Sequence, residues 1–281
     1  MTVLGVTLAL TVLAAPAPAA APASAPVPEE PSIKVGQPGK DVIWVPTPEA
    51  ILDRMLAMAQ VKPADLVVDL GAGDGRMVIA AARKYGARGL GIEYDPALIA
   101  AGRKAARTAG LRDGQVVMQR ADLFTADIRD ATVVMLYLLP AMNKQLRTKL
   151  LNLRPGTRIV AHQFGIPDWE PDEISWHERR AAMLWVVPAQ VAGGWRLTLP
   201  NGQVVDLDLE QKCQVFKGRA HLGKVLAGLR ATRLHADAIE FNYVDGAGVL
   251  HAFTGKVDGE AMTGEVAIGD VRGAWSAVRR R

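Results

Sequence analysis

The stretch Val67-Val68-Asp69-Leu70-Gly71-Ala72-Gly73-Asp74-Gly75-Arg76 leaves this chain few ways to fold. An apolar run ends in a carboxylate, glycines alternate through a turn, and residues from Met77 onward carry a helical apolar spacing. This is a strand feeding a helix through a turn where backbone can approach a ligand closely. A strand that is apolar on both faces belongs inside a parallel sheet covered by helices. The surrounding chain agrees. Strands are predicted at 66–70, 89–93, 115–119, 131–138 and 158–162. Helices are predicted from Thr47-Pro48, with Thr47 as the cap and Pro48 in the first turn, then at 77–84 stopped by Gly86. Two more start at Asp95-Pro96 and at Pro140. Segments 174–177 and 182–187 supply the last, antiparallel strands, with Glu178-Arg179-Arg180 at their turn.

From Gly193 the pattern changes to short alternating runs separated by Asn201-Gly202, Asp245-Gly246 and Asp258-Gly259, which are hairpin signals. Trp195, Phe216, Phe241, Tyr243, Phe253 and Trp275 fall within these runs and read as core. The expected fold class is therefore α/β, a Rossmann-like sheet followed by a small antiparallel β-rich domain. The expected divisions are 1–40, 41–192 and 193–281, the last a β-sandwich or barrel. Residues 3–15 are an apolar run followed by an Ala/Pro-rich stretch with small residues near Ala19 and Ala21, which reads as a signal peptide or a membrane tether plus linker. The first reading places the protein in an exported or periplasmic setting, the second at a membrane, and a non-functional signal leaves it cytoplasmic. That run is shorter than the ~20 apolar residues a spanning helix needs.

Composition excludes several classes. The chain of 281 residues has 33 Lys and Arg against 29 Asp and Glu, and one cysteine. The cations are dispersed, so no nucleic-acid partner is expected. Cys213 alone cannot form an internal disulfide and reads as a small core residue. His221, His235 and His251 lack ligand spacing, so no metal is expected.

The chemistry converges on one sheet edge. Glu93 ends the second strand, where a carboxylate accepts both ribose hydroxyls of a nucleoside. Asp122-Leu123 follows the third strand, placed to read an adenine edge and pack on its face. Tyr137-Leu138-Leu139-Pro140 ends the fourth. The loop is Gly-x-Gly-x-Gly, not the Gly-x-Gly-x-x-Gly of nicotinamide cofactors, and Asp74 sits within it, disfavouring a pyrophosphate. S-adenosylmethionine has no phosphate. Its ammonium suits Asp69 and its carboxylate suits the loop amides.

Residues 44–170 resemble the class I, seven-stranded methyltransferases. They are most similar to the protein-lysine methyltransferases that include those of the mitochondrial ATP synthase c-subunit and the adenine nucleotide translocase. The likeness rests on Trp44-Val45-Pro46-Thr47-Pro48, the Asp69 to Arg76 loop, Gly89-Leu90-Gly91-Ile92-Glu93, Asp122-Leu123-Phe124 and Leu136-Tyr137-Leu138-Leu139-Pro140. Asn152-Leu153-Arg154-Pro155-Gly156-Thr157, His162 and Trp169 also fit. The resemblance implies that Asp69, Gly71, Gly73 and Glu93 bind S-adenosylmethionine, with Asp122 at the adenine and Tyr137 facing the methyl group. Ala72, Leu123 and Thr47 complete the candidate cofactor set. Candidate catalytic residues are Tyr137, Glu49 and His162, Glu49 reading equally as a first-turn acid of its helix and His162 as a hydrogen-bonded strand-end histidine. The implied reaction is methylation of a lysine on a protein partner, with membrane association as a further expectation. Two alternatives stay open at this point: a small-molecule methyltransferase, and an exported binding scaffold without turnover.

Overall fold

A computed structural model describes residues 1–2, 33–37, 39 and 43–280. The apolar run 3–15, the following Ala/Pro-rich stretch and the cleavage positions near Ala19 and Ala21 lie outside the described residues.

The first part builds one mixed sheet. Its elements are α1 (Glu49–Met58), β1 (Leu66–Leu70), α2 (Arg76–Tyr85), β2 (Arg88–Glu93), α3 (Pro96–Thr108), β3 (Val116–Arg120) and β4 (Val133–Leu136). They continue with α4 (Pro140–Leu151), β5 (Arg158–His162), β6 (Glu173–His177) and β7 (Arg180–Val186). The strand order is β3-β2-β1-β4-β5-β7-β6, with β7 antiparallel to both its neighbours and the rest parallel. The sheet is apolar on both faces, as the continuous runs in β1, β4 and β5 require. One face packs under α1 and α2 through Ile51, Met55, Val78 and Val67. The other packs under α4 through Leu146, Leu150, Val68 and Leu136.

One cap differs from expectation. Helix α1 starts a residue later than predicted, with Pro48 as its cap and no side-chain capping bond. Thr47 is instead buried, and its hydroxyl lies 3.1 Å from Nδ1 of His162. The capping hydroxyl was claimed by a tertiary partner. Strand β4 is also shorter than predicted, because residues 137–139 leave the sheet to form the loop that opens α4.

The second part is a nine-stranded antiparallel sheet: β8 (Gly193–Thr198), β9 (Val204–Lys212), β10 (Val215–Leu222), β11 (Val225–Gly228), β12 (Arg230–His235), β13 (Ala238–Val244), β14 (Leu250–Asp258), β15 (Ala261–Ile268) and β16 (Val271–Arg279). The order is β11-β10-β9-β8-β16-β15-β14-β13-β12. It is one continuous sheet, not the two stacked sheets of a sandwich. It rolls until β12 reaches β10, where the Leu229 N–H donates to the Gly218 carbonyl and the Thr232 hydroxyl to that of Phe216. The six aromatics expected as core are all buried inside the roll. Phe241 and Phe253 stack at 4.6 Å and Trp275 meets both edge-on. A side chain on Gly255 would stand 2.6 Å from Trp275 Cζ2, so glycine there makes room for the indole.

Hairpin tips at one end of the roll meet the loop between β5 and β6 and the link that follows β7. Gln214 Nε2 donates to the Glu170 carbonyl at 2.7 Å, and the Ala189 N–H to that of Ala236. Cys213 does not sit in the core of the roll. It occupies the β9–β10 turn with φ 53° and packs against the core of the first sheet, its thiol 3.6 Å from the Asp168 carbonyl.

Candidate active site

The carboxyl ends of β1, β2 and β4, with the loop after β3, open into one cavity of about 500 Å³. Asp69, Gly71, Ala72, Glu93, Asp122, Leu123, Thr47 and Tyr137 all line it, as do Trp44, Arg76 and Phe164. Gly73 holds its loop with φ 55° and its amide points at Glu93. Strand ends in an open α/β sheet are where ligands bind, and the sheet here brings the predicted set together.

Asp69 is 2% exposed, and no cation pairs with it among the described residues. Burial pushes its carboxyl up to about 8, with Glu93 and Asp74 adding like-charge repulsion. Such a group favours an incoming cation. Glu93 is already engaged. Its Oε2 accepts the Gly73 N–H at 2.8 Å, and its Oε1 accepts those of Tyr94 and Asp95 at 2.7 and 2.9 Å. A carboxylate has about four acceptor sites in all, so three are in use and the one left open for a hydroxyl is on Oε2.

Two expectations about the glycine loop need correction. Four of its five amides are already used within the chain rather than left for a ligand carboxylate. The Gly71 and Ala72 N–H groups donate to the Ile92 carbonyl, Gly73 to Glu93 and Gly75 to the Ala72 carbonyl. Nor does Asp74 present a bare charge, because Arg76 clamps it through Nε and Nη2, the latter at 2.7 Å. Arg76 was missed in the sequence. The signal was the carboxylate two residues before it.

The loop after β3 is held from α4. Lys149 Nζ donates to the carbonyls of Leu123, Phe124 and Ala126 at 2.9, 3.2 and 2.5 Å. Asp122 accepts the Phe124 N–H at 2.8 Å, closing the turn that presents Leu123. On the other bank, the stretch before α1 crosses the loop. A side chain on Gly73 would overlap the Trp44 indole, and Gln37 Nε2 donates to Asp95 at 2.9 Å.

The catalytic candidates separate. Tyr137 lines the cavity, with its ring 4.0 Å from that of His162 and 6.3 Å from that of Phe164. His162 is wholly buried behind it and does not line the cavity. Burial, then the nearby Arg180 charge, pushes its imidazole down to about 4, so it is neutral at pH 7. Glu49 is not at the site. It is an exposed first-turn acid of α1 whose carboxylate pairs with Lys84 at 3.2 Å. Asn143 was also missed. It is fully buried on α4 and donates to the carbonyls of Leu138, Phe164 and Gly165, joining the two loops beside Tyr137. Nothing local in the sequence marks it, because its partners lie on two separate loops. Among the described residues no cluster of three potential metal ligands occurs.

Comparison with known proteins places these features. The family model for the ANTKMT methyltransferase domain matches residues 69–173. A protein-lysine N-methyltransferase of Saccharolobus islandicus is 39% identical over 135 residues, 47% of this chain and 83% of that protein. The mouse lysine N-methyltransferase of the ATP synthase c-subunit is 32% identical over 58% of this chain, which spans 64% of that relative's length. A crystal structure described as an RNA methyltransferase from Salinibacter ruber with S-adenosyl-L-homocysteine is 49% identical, with a TM-score of 0.51. It covers 52% of this chain and 96% of its own. The cofactor is S-adenosylmethionine, and the site carries groups that fit it: Asp69 is buried with no cation partner among the described residues, and the Glu93 carboxylate lines the same cavity.

Proposed function

This chain belongs to the ANTKMT-type family of class I S-adenosylmethionine methyltransferases, and from that premise we propose that it methylates a lysine side chain on a protein. Asp69 receives the cofactor's ammonium, Arg76 its carboxylate, Glu93 the ribose, and Asp122 with Leu123 the adenine. Thr47 serves by fixing His162 under Tyr137. The bound cofactor supplies an electrophilic methyl group with a neutral leaving group, so no general acid is required. The chain's own task is positioning. Tyr137 and Phe164 wall the acceptor side, where an apolar lining favours an uncharged amine by lowering its pKa. The Tyr137 hydroxyl orients that amine, and its ring face accommodates the cationic product.

The observation that carries the lysine reading is the mouth itself. Ile43, Val45, Tyr94 and Leu139 line the cavity and are more than a third exposed, giving an apolar rim in which Arg76 is the one cation among the described lining residues, with Arg120 beyond it over the Tyr94 ring. A phosphate-rich acceptor is matched by basic rims. Labelled-methyl transfer into a lysate, divided into protein, RNA and small-molecule fractions, tests this. Label in protein that hydrolyses to methyl-lysine supports it, and label in RNA or small molecules overturns it. In a separate cofactor titration, Glu93→Ala weakens binding by about 1–3 kcal/mol.

For location, the reading is a membrane tether formed by the apolar run 3–15, which keeps the enzyme where S-adenosylmethionine is made. No described helix is long and apolar enough to cross a membrane. Fractionation with N-terminal sequencing decides: an uncut chain in the membrane fraction supports the tether, and a cleaved chain outside the cytoplasm contradicts it.

A further inference from the structure

Strand β6 is the outer edge of the first sheet, hydrogen-bonded to β7 alone. Among the described residues no backbone group reaches its far side. Edge strands in monomeric proteins are usually shielded by charge, proline or a covering element. Here the edge carries two large apolar side chains on one face. Ile174 is 50% exposed and Trp176 is 63% exposed. Their registry with Met183 and Ala181 puts them on the same face as the core under α4, just beyond where that core is covered. On the opposite face, Ser175 accepts a hydrogen bond from Arg54 of α1.

The five residues Glu173-Ile174-Ser175-Trp176-His177 have a property that neither face shows alone. Laid antiparallel against a copy of themselves with all five residues paired, they match. Ser175 falls on the two-fold axis opposite its own copy. Ile174 meets Trp176 of the second copy on the apolar face, and Glu173 meets His177 of the second copy on the other. Aromatic with β-branched, and acid with histidine, are favourable cross-strand pairs. Asp172, the next residue outward, turns away, its carboxylate accepting the Val186 N–H at 2.7 Å.

We propose that β6 is a self-association strand: two copies of this chain join by antiparallel β6–β6 pairing centred on Ser175, fusing two seven-stranded sheets into one. The interface is isologous, as a two-fold contact must be. Antiparallel pairing points the carboxyl ends of the two sheets in opposite directions, so both cofactor cavities stay open, one at each edge. Five residues of ladder and four apolar side chains make a small interface, so the dimer is weak and concentration-dependent.

Sedimentation of the full-length protein over a nanomolar to high-micromolar series is the first test, expected to show a shift from monomer to dimer. Trp176→Lys should hold the protein monomeric while S-adenosylmethionine affinity stays unchanged, which also reports that it folds. In a Cys213→Ser background, Ser175→Cys should form an interchain disulfide on mild oxidation, and Lys256→Cys on the roll should not. Glu173→Lys should weaken the dimer several-fold at pH 6, and adding His177→Glu should restore it. A wild-type chain that stays monomeric throughout overturns the proposal. So does a dimer indifferent to Trp176→Lys, or failure of Ser175→Cys to cross-link. A monomer whose Trp176→Lys variant loses only acceptor methylation would give the strand to the acceptor protein and equally overturn it.

Discussion

Trp44 and Trp275 both press against glycine, one over the cofactor loop and one inside the roll. Trp275 is 2% exposed, and its indole N–H is shared by the carbonyls of Thr254 and Glu265, each at 3.0 Å. Trp44 is half-buried, its indole N–H has no acceptor among the described residues, and it lines the cavity. The steric device is the same, but only one is locked. The roll uses close packing to hold itself together. The cofactor end holds groups in arrangements that suit a ligand better than they suit the empty fold, with Asp69 the clearest case.

The contrast is sharpest at Asp69. Asp69→Asn should weaken S-adenosylmethionine binding by about 2–5 kcal/mol, the scale for removing one partner of a buried charge pair. The same change should raise the unfolding midpoint of the ligand-free protein at pH 8. The carboxyl titrates at 3.8 in the ordinary state and at about 8 when folded. Between those values the folded chain holds a proton that the unfolded chain lacks, so stability falls as pH rises and levels off above the upper one. Melting curves from pH 4 to about 9 should show that decline in the wild type and a flatter profile in the variant. If the ammonium ionises Asp69, binding at pH 7 releases a proton, readable by calorimetry in buffers of different ionisation enthalpy. A variant that binds normally would dissolve the distinction between the two ends.

The next effect falls on the roll. Gly255→Ala drives a methyl group into the Trp275 ring and the Thr263 carbonyl, at an expected destabilisation of about 1–3 kcal/mol by overpacking. Denaturant melts should detect it, and S-adenosylmethionine affinity should be unchanged. Trp44→Ala should do the reverse on a smaller scale. It removes partly buried aromatic area beside the ligand, costing about 1 kcal/mol of cofactor affinity with little change in unfolding. Should Trp44→Ala destabilise the fold as much as Gly255→Ala, the two tryptophans are equivalent after all.

How far these features could be read in the chain depends on how local their causes are. Strands β1 and β5 fall where the apolar runs end, because a strand buried on both faces is written in its own residues. The cap of α3 was equally legible: the Asp95 side chain accepts the Ala97 N–H two residues on. Thr47 was not, because the group that takes its hydroxyl lies 115 residues away. Glu49 carried the right chemistry at a helix start, but its side chain points to Lys84, a matter of helix rotation that the residue type does not encode. The glycine loop was legible as a ligand loop, whereas the internal use of its amides was not, since the acceptors come from β2. In the roll, glycine tips at 223, 259 and 269 follow the hairpin rule. Cys213 and Ala236 take the same positive φ without a glycine to announce it, which hid two turns. That the strands form one rolled sheet is fixed by pairings between distant strands, as of β16 with β8.

Lys149 has a consequence for how the cavity opens. With three carbonyls of the 123–126 loop gathered on one ammonium, and that ammonium mounted on α4, the adenine bank is anchored. The β-strand ends cannot shift without breaking the sheet. The give needed for a nucleoside to pass is therefore expected on the opposite shore, where, among the described residues, the stretch bearing Trp44 is moored by side-chain bonds from Gln37 to Asp95 and from Arg76 to the Thr47 carbonyl. If the doorway yields there, traffic through it depends on residues that precede the first helix and lie outside the part of the chain most recognisable as an enzyme.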